Sequence, residues 1–343
     1  MRKRINNLFF AVGLTAVCVM FCTFGVSFTQ LWAYITQAGY WLAAIWGLWM
    51  LLYILNTWAW RIIIRGSGPC TISFLRLLKL TVTGFALNYA TPMGMVGGEA
   101  YRIMELSRYI DVRRATSSVV LFVMMHVFSH FWFWVTSIIL YLILALNGYL
   151  PMDLAMGLVL IFSALFCSGG IYLFVRGYRY GMAVKLMRII SRIPGLRAWG
   201  RRFSETHRED LEKIDRQISE LHGQNKRSFF GSFLLEYVGR MLQSFEIFFM
   251  LLLFGIDGGG GAEGYLLTFL HSFLILAFTS LFANLLGFMP LQLGGREGGF
   301  AISVAQMGMT GGTAMFVSII CRVRELFWTS VGLLLMKIGD KKE

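Results

Sequence analysis

The chain is predicted to be all-α: a polytopic membrane helical bundle of six to eight spans, built as a single domain over residues 1–343. Three observations lead there. Apolar runs of membrane-spanning length recur along the chain, most Lys and Arg sit between them, and one Pro–Gly–Gly–Glu element occurs twice. The two occurrences predict a pair of broken or re-entrant helix units related as an inverted repeat.

The first observation rests on composition. The chain is 57% hydrophobic and 14% charged, with a mean hydropathy of +0.65, where a soluble domain carries about 25% charged residues. A run of about 20 apolar residues crosses the hydrocarbon core, since only a helix of that length satisfies its backbone groups in lipid. Such runs fall at 8–30, 40–63, 115–146, 154–175, 229–254 and 314–336. Two more, 74–91 and 265–289, each run into a Pro/Gly-rich break. No room for a soluble catalytic domain is expected among these residues.

Charge placement supplies the second. The net charge of +13 sits between the apolar runs, as in cytoplasmic loops. No nucleic-acid-binding signature accompanies it, so no nucleic acid partner is expected. A basic inner face meeting anionic headgroups is the better reading. Arg2, Lys3 and Arg4 place the N-terminus inside, and Lys337, Lys341 and Lys342 do the same for the C-terminus. Residues 176–228 form the main cytoplasmic segment, and 201–222 within it reads as a solvated linker or a surface-lying helix. The uncharged loop 29–40, the loop Asn147–Asp153 and the Gly-rich loop Gly255–Gly264 belong outside. Arg2–Arg4 before an apolar stretch resembles a signal peptide, but Leu8–Phe28 exceeds the roughly 7–15 residues of such a region. It is expected to remain as the first helix. Cys18, Cys22, Cys70, Cys167 and Cys321 contain no CxxC pair and read mostly as small hydrophobes.

The repeat is the third. Residues 88–102 read NYATPMGMVGGEAYR, and 284–298 read NLLGFMPLQLGGREG. Aligning Pro92 with Pro290 places Gly97 on Gly295 and Glu99 on Glu297, an offset of 198 (290 − 92). Each element is followed by a long apolar span, and the charge map gives those spans opposite orientation. Inverted repeats with discontinuous helices are the architecture of many secondary transporters. Pro removes a backbone donor and Gly permits positive φ, so N–H groups at the break become available to an anion. Whether each unit is re-entrant or a full crossing followed by a half-helix stays open, as does a plain helix contact through small residues.

Ionisable residues near the spans are the remaining candidates: Glu99, Arg102, Glu105, Glu236, Arg240, Glu246, Arg296, Glu297, Arg322, Arg324 and Glu325. Such groups usually face a bundle interior or cavity. Glu236 and Arg240, four apart, either neutralise each other or serve a site. Glu99 and Glu297 stand out because the repeat presents both. His126 and His130 share a helix face without the Glu of HExxH and read as a buried polar pair, and His271 reads as structural. No nucleotide motif and no cofactor motif is present.

The PMGMVGGEAYR and PLQLGGREGG elements, followed by AMFVSIICRVRELFW, resemble the flippase-like transmembrane domain of the lysylphosphatidylglycerol synthase family, in its free-standing form. The resemblance covers essentially the whole chain. It implies translocation of a lipid or lipid-linked substrate across a bacterial inner (plasma) membrane. The separate soluble aminoacyltransferase domain is expected to be absent here, so synthase activity is not carried over. The breaks map onto Pro92, Gly97, Gly98 and Glu99, and onto Pro290, Gly294, Gly295, Arg296 and Glu297. Arg102, Arg296, Arg322 and Arg324 would compensate headgroup charge, and Glu99 and Glu297 would bind protons or an amine. Met125-His126 stands where the resemblance leads one to expect a Glu-Arg pair, so a charge is expected to be missing there. Membrane lipids with an anionic or zwitterionic headgroup are the expected partners; a homo-oligomer or a lipid-synthesis enzyme is left open. A membrane-embedded lipid-modifying enzyme and an accessory scaffold are the rival readings.

Overall fold

The computed structural model describes residues 28–90, 97–180, 226–285 and 311–338, together with Phe300, Ser303 and isolated positions between 202 and 212. The expected helix at 8–28, most of the basic segment 176–228 and both proline breaks lie outside the described residues. The eight helices among the described residues are α1 (Phe28–Gly66), α2 (Phe74–Ala90), α3 (Gly97–Leu106), α4 (Val112–Leu146), α5 (Leu154–Tyr180), α6 (Lys226–Leu253), α7 (Gly261–Leu285) and α8 (Gly311–Lys337). The all-α expectation holds.

Four of them contain stretches long and apolar enough to cross a membrane: Gly39–Gly66, Val112–Leu146, Leu154–Gly177 and Gly261–Leu285. Helices α6 and α8 have comparable length, at 28 and 27 residues. Their apolar character is interrupted by Glu236, Arg240, Glu246, Arg322, Arg324 and Glu325. Helix α5 turns much of its surface outward, with Leu154, Leu158, Ile161, Phe162 and Leu165 exposed. Large apolar side chains facing out along a spanning helix suit lipid rather than water.

One expected loop is helical. Residues 29–40 belong to α1, in which non-helical backbone at Gly39 (φ 49°, ψ −131°) joins two helical segments across a kink. That backbone conformation is open to glycine and strained for other residues. The stretch before it contains no proline, and Thr36 bonds back to the Trp32 carbonyl at 3.0 Å. Within 29–40 the helix is interrupted at Gly39.

The first broken unit is a hairpin. Helix α3 has only 10 residues and rises about 15 Å, half the roughly 30 Å hydrocarbon core. It folds back antiparallel along α2: Gly98 packs against Gly84, and Arg102 reaches the Thr81 carbonyl at 3.1 Å. This unit is therefore re-entrant rather than a full crossing. In the second unit, Thr279 and Ser303 approach to 3.5 Å across the break, so the chain beyond α7 also returns to it.

Helix α8 runs antiparallel to α2. Thr83 donates to the Gly332 carbonyl at 3.2 Å, and Lys79 to the Ile338 carbonyl at 2.8 Å. The α1–α2 turn meets the start of α4 where Arg114 donates to the Pro69 carbonyl at 3.2 Å. So α4 starts at the end of the bundle that α8 reaches, and the two long helices after the breaks run in opposite directions. Helices α1 and α6 pack along their length with Gly66 against Ser228 at one end and Trp41 against Phe249, 5.4 Å between rings, at the other. The interior at the centre of this arrangement is not wholly apolar. Arg102, Glu105, Glu236, Glu246, Arg322, Arg324 and Glu325 are all buried.

Candidate functional site

The hairpin tip is built from small residues so that two helices meet closely. A Cβ on Gly98 would collide with the Gly84 carbonyl, and one on Gly84 would collide with the Arg102 guanidinium. The close approach lets Asn88, near the end of α2, serve the first turn of α3. Its Oδ1 accepts from the Gly98 N–H at 2.9 Å, and its Nδ2 donates to Glu99 Oε1 at 3.0 Å. One side chain thus satisfies a helix N-terminus, whose first N–H groups lack partners within the helix, and orients the carboxylate beside it. A carboxylate in the first turn also suits the positive end of the helix dipole.

Arg102 lies one turn further along. Its Nη1 pairs with Glu99 Oε1 at 3.2 Å and its Nη2 donates to the Thr81 carbonyl at 3.1 Å. The guanidinium is buried among aromatic faces, 4.7 Å from the Phe85 centroid, 5.3 Å from Phe122 and 5.8 Å from Trp60. Such faces attract a cation that has left water. The pairing is incomplete. Arg102 Nε and Glu99 Oε2 are buried with no hydrogen-bond partner among the described residues.

Phe85 and Phe122, which flank Arg102, also lie 5.8 and 6.5 Å from the imidazole of His126 on α4. His126 Nδ1 lies 2.8 Å from Glu236 Oε2, and Arg240 Nη2 contacts the imidazole Nε2. Guanidinium can only donate and carboxylate only accept, so these partners assign the imidazole proton to Nδ1. His130 Nδ1 donates in turn to the His126 carbonyl at 2.9 Å. Arg240 also donates to Gln243 Oε1 at 3.0 Å. Glu236 and Arg240, four residues apart, thus meet through an imidazole. Glu236 Oε1 is buried and has no partner among the described residues. Glu236 and Arg240 of α6 bring charge to His126.

A third ionic group lies farther along α6 and is closed. Arg324 of α8 holds Glu246 with Nε–Oε1 at 2.8 Å and Nη2–Oε2 at 3.4 Å, and sits 3.6 Å from Glu325. It stacks on Trp49 at 3.8 Å. The aromatic rings of Trp49, Tyr53 and Phe85 connect this pair to the first hairpin, at 5.8 and 5.6 Å between successive rings.

Of the residues proposed from sequence, Gly97, Gly98, Glu99 and Arg102 come together with Asn88 and Thr81 at one hairpin. Arg324 is committed to Glu246, and Arg322 is buried in α8. Pro92, Pro290, Gly294, Gly295, Arg296 and Glu297 lie outside the described residues. The sequence reading did not place Asn88, His126, Glu236 and Arg240 in one site with Arg102. Asn88, four residues before Pro92, was the one local signal, because Asn favours helix caps; the link between His126 and Glu236 spans 110 positions and leaves none.

A family model described as lysylphosphatidylglycerol synthase TM region matches residues 8–332 of the chain. No curated protein matches it, and no solved structure does.

Proposed function

The chain belongs to the lysylphosphatidylglycerol synthase transmembrane-region family, and from that membership in a lipid-handling membrane family we propose that it translocates a lipid or lipid-linked substrate across the bacterial inner membrane. The headgroup passes at the polar interior between the α2–α3 hairpin and the His126 network, while the acyl chains stay in the bilayer. The basic ends of the helices face the cytoplasm, as positive charge does in inner-membrane proteins.

One observation carries the reading. Arg102 Nε and Glu99 Oε2 are desolvated at the tip of a re-entrant hairpin without partners among the described residues. Polar groups in lipid are costly unless paired or facing a polar path. A donor and an acceptor held side by side suit a headgroup carrying phosphate and hydroxyl or amine groups. In the second unit, Phe300 stands at the position aligned with Arg102 (102 + 198 = 300) and is buried in the apolar core. The headgroup contacts are accordingly assigned to the first unit, with Glu297 and Arg296 as the contribution of the second.

The test uses the full chain in proteoliposomes with fluorescent phospholipid and a membrane-impermeant quencher. Lipid that becomes protected or exposed without chemical change supports translocation. Chemically altered lipid would instead establish a membrane-embedded lipid-modifying enzyme, and inertness with the whole range of headgroups would leave the scaffold reading.

A further inference from the structure

The His126 network has a feature that headgroup binding at the hairpin does not use. Glu236 presents one carboxylate oxygen to His126 at 2.8 Å and keeps the other, Oε1, buried and without a partner among the described residues. Its side chain is 2% exposed. Both imidazole nitrogens of His126 are occupied, Nδ1 by Glu236 and Nε2 by Arg240. His130 has its Nδ1 on a carbonyl. His126 cannot take a second proton without losing its contact with Arg240, and Glu236 Oε1 is an open carboxylate position beside it.

The surroundings are asymmetric in charge. From α4 the group meets His126 and His130, from α6 itself Arg240, from α3 Arg102, and from α2 Tyr89. Arg324 and Glu325 of α8 lie by Glu246, ten residues along α6 and about 15 Å away, and Tyr53 of α1 lies between, acting on both Arg324 and Arg102. Helix α7 carries His271 two residues beyond Phe269, whose ring meets Phe245 at 4.7 Å. Two guanidinium groups, Arg102 and Arg240, therefore act on one carboxylate. With Glu236 ionised, the group formed by Arg102, Arg240, Glu99 and Glu236 is charge-balanced. With Glu236 protonated, it carries one positive charge in excess, in a medium where an unbalanced charge is costly.

We propose that Glu236 is the proton-binding site of a coupled transport cycle, in which a proton and an anionic phosphate headgroup enter the polar interior together. The inference rests on the translocation reading above. A proton from water on the more acidic side forms the O–H bond at Glu236 Oε1, leaving water behind. The excess positive charge then holds one phosphate negative charge beside Arg102 and Arg240. On the opposite side the O–H bond breaks to water, the carboxylate again balances the arginines, and the headgroup is released. The cycle carries no net charge, and it draws the lipid toward the alkaline side.

The test reconstitutes the full chain in phosphatidylglycerol-containing vesicles with a fluorescent phosphatidylglycerol probe and an imposed pH difference. For one proton per lipid, one unit of pH difference moves the steady-state leaflet ratio about tenfold toward the alkaline leaflet. Glu236→Gln keeps the shape and an acceptor for His126, and should move the probe to a ratio of one whatever the gradient. Infrared difference spectra of the same samples supply a readout independent of lipid. Acidification should raise the carbonyl stretch of a buried carboxylic acid in the wild type, and that band should be missing in Glu236→Gln. Probe movement in the wild type that ignores the gradient overturns proton coupling and leaves translocation standing. Absence of the Glu236-dependent band overturns the proton site whatever the lipid does. A wild type that moves no probe overturns translocation and coupling together.

Discussion

Two Arg–Glu pairs lie buried in this bundle and differ in what they leave undone. At Arg324–Glu246, the guanidinium meets both carboxylate oxygens, a second carboxylate and an indole face. At Arg102–Glu99, a single guanidinium nitrogen meets a single oxygen, and the other oxygen and Nε remain open. Their burial differs in the same sense: both side chains of the closed pair are 1% exposed, whereas Glu99 is 18% exposed. A pair that exhausts its hydrogen-bonding capacity locks helices together. A pair that does not is poised for something else. Charge type alone would have grouped the two; burial and the count of satisfied atoms separate them.

The sharpest way to break this comparison is to remove one partner from each pair. Arg324→Met leaves Glu246 buried and uncompensated, which typically costs about 3–5 kcal/mol. The yield of folded protein and its melting temperature in detergent should fall steeply, and Glu246→Leu added to Arg324→Met should restore most of the loss. If the single variant melts like the wild type, the closed pair is no lock. Gly98→Ala comes next, because the new methyl meets the Gly84 carbonyl. Overpacking of this kind costs about 1–3 kcal/mol, and the hairpin should become protease-sensitive near residue 98 before the rest of the chain. Equal protection would mean the two helices are not held at that approach.

Glu99→Gln keeps the volume and the contact with Asn88 but removes the charge. It should lower melting by less than Arg324→Met does, since Arg102 keeps the Thr81 carbonyl and three aromatic faces, and slow lipid movement about tenfold, equivalent to about 1.4 kcal/mol in the barrier. A variant that transports at the wild-type rate removes Glu99 from the path. The smallest effect is expected from Asn88→Ala, which deletes the cap on Gly98 and should cost about 1 kcal/mol of stability. A melting temperature identical to the wild type would show that the tip is held without it.

The repeated units also differ, and the difference was half legible. Glycines and a Glu align at an offset of 198, yet Arg102 aligns with Phe300, which is 1% exposed in the apolar core. The shared residues are those that break a helix and let two segments touch, which is a local demand that any sequence must meet in the same way. The residues that differ decide whether the touching segments hold charge, and that depends on what packs behind them. Arg102 has Phe85, Phe122 and Trp60 behind it; Phe300 joins Phe133, Phe273 and Phe316 in one cluster. The stretch 29–40 shows the converse. Its lack of charge read as a loop, whereas backbone hydrogen bonding in an apolar setting favours helix on both sides of Gly39.

By itself the sequence determined the membrane class, the long apolar helices, the interruption between α2 and α3 and the residues able to ionise. Each follows from a property carried by a short window: the apolar length needed to cross lipid, the backbone demands of Pro and Gly, and the cost of charge in hydrocarbon. Only the tertiary structure decided which charges meet. The contacts of His126 with Glu236 and of Arg324 with Glu246 span 110 and 78 positions. Between helices that are all apolar enough to pack in several ways, the choice of neighbour is a property of the whole bundle, because a buried carboxylate and its partner stabilise each other only when the folded chain brings them within hydrogen-bonding distance.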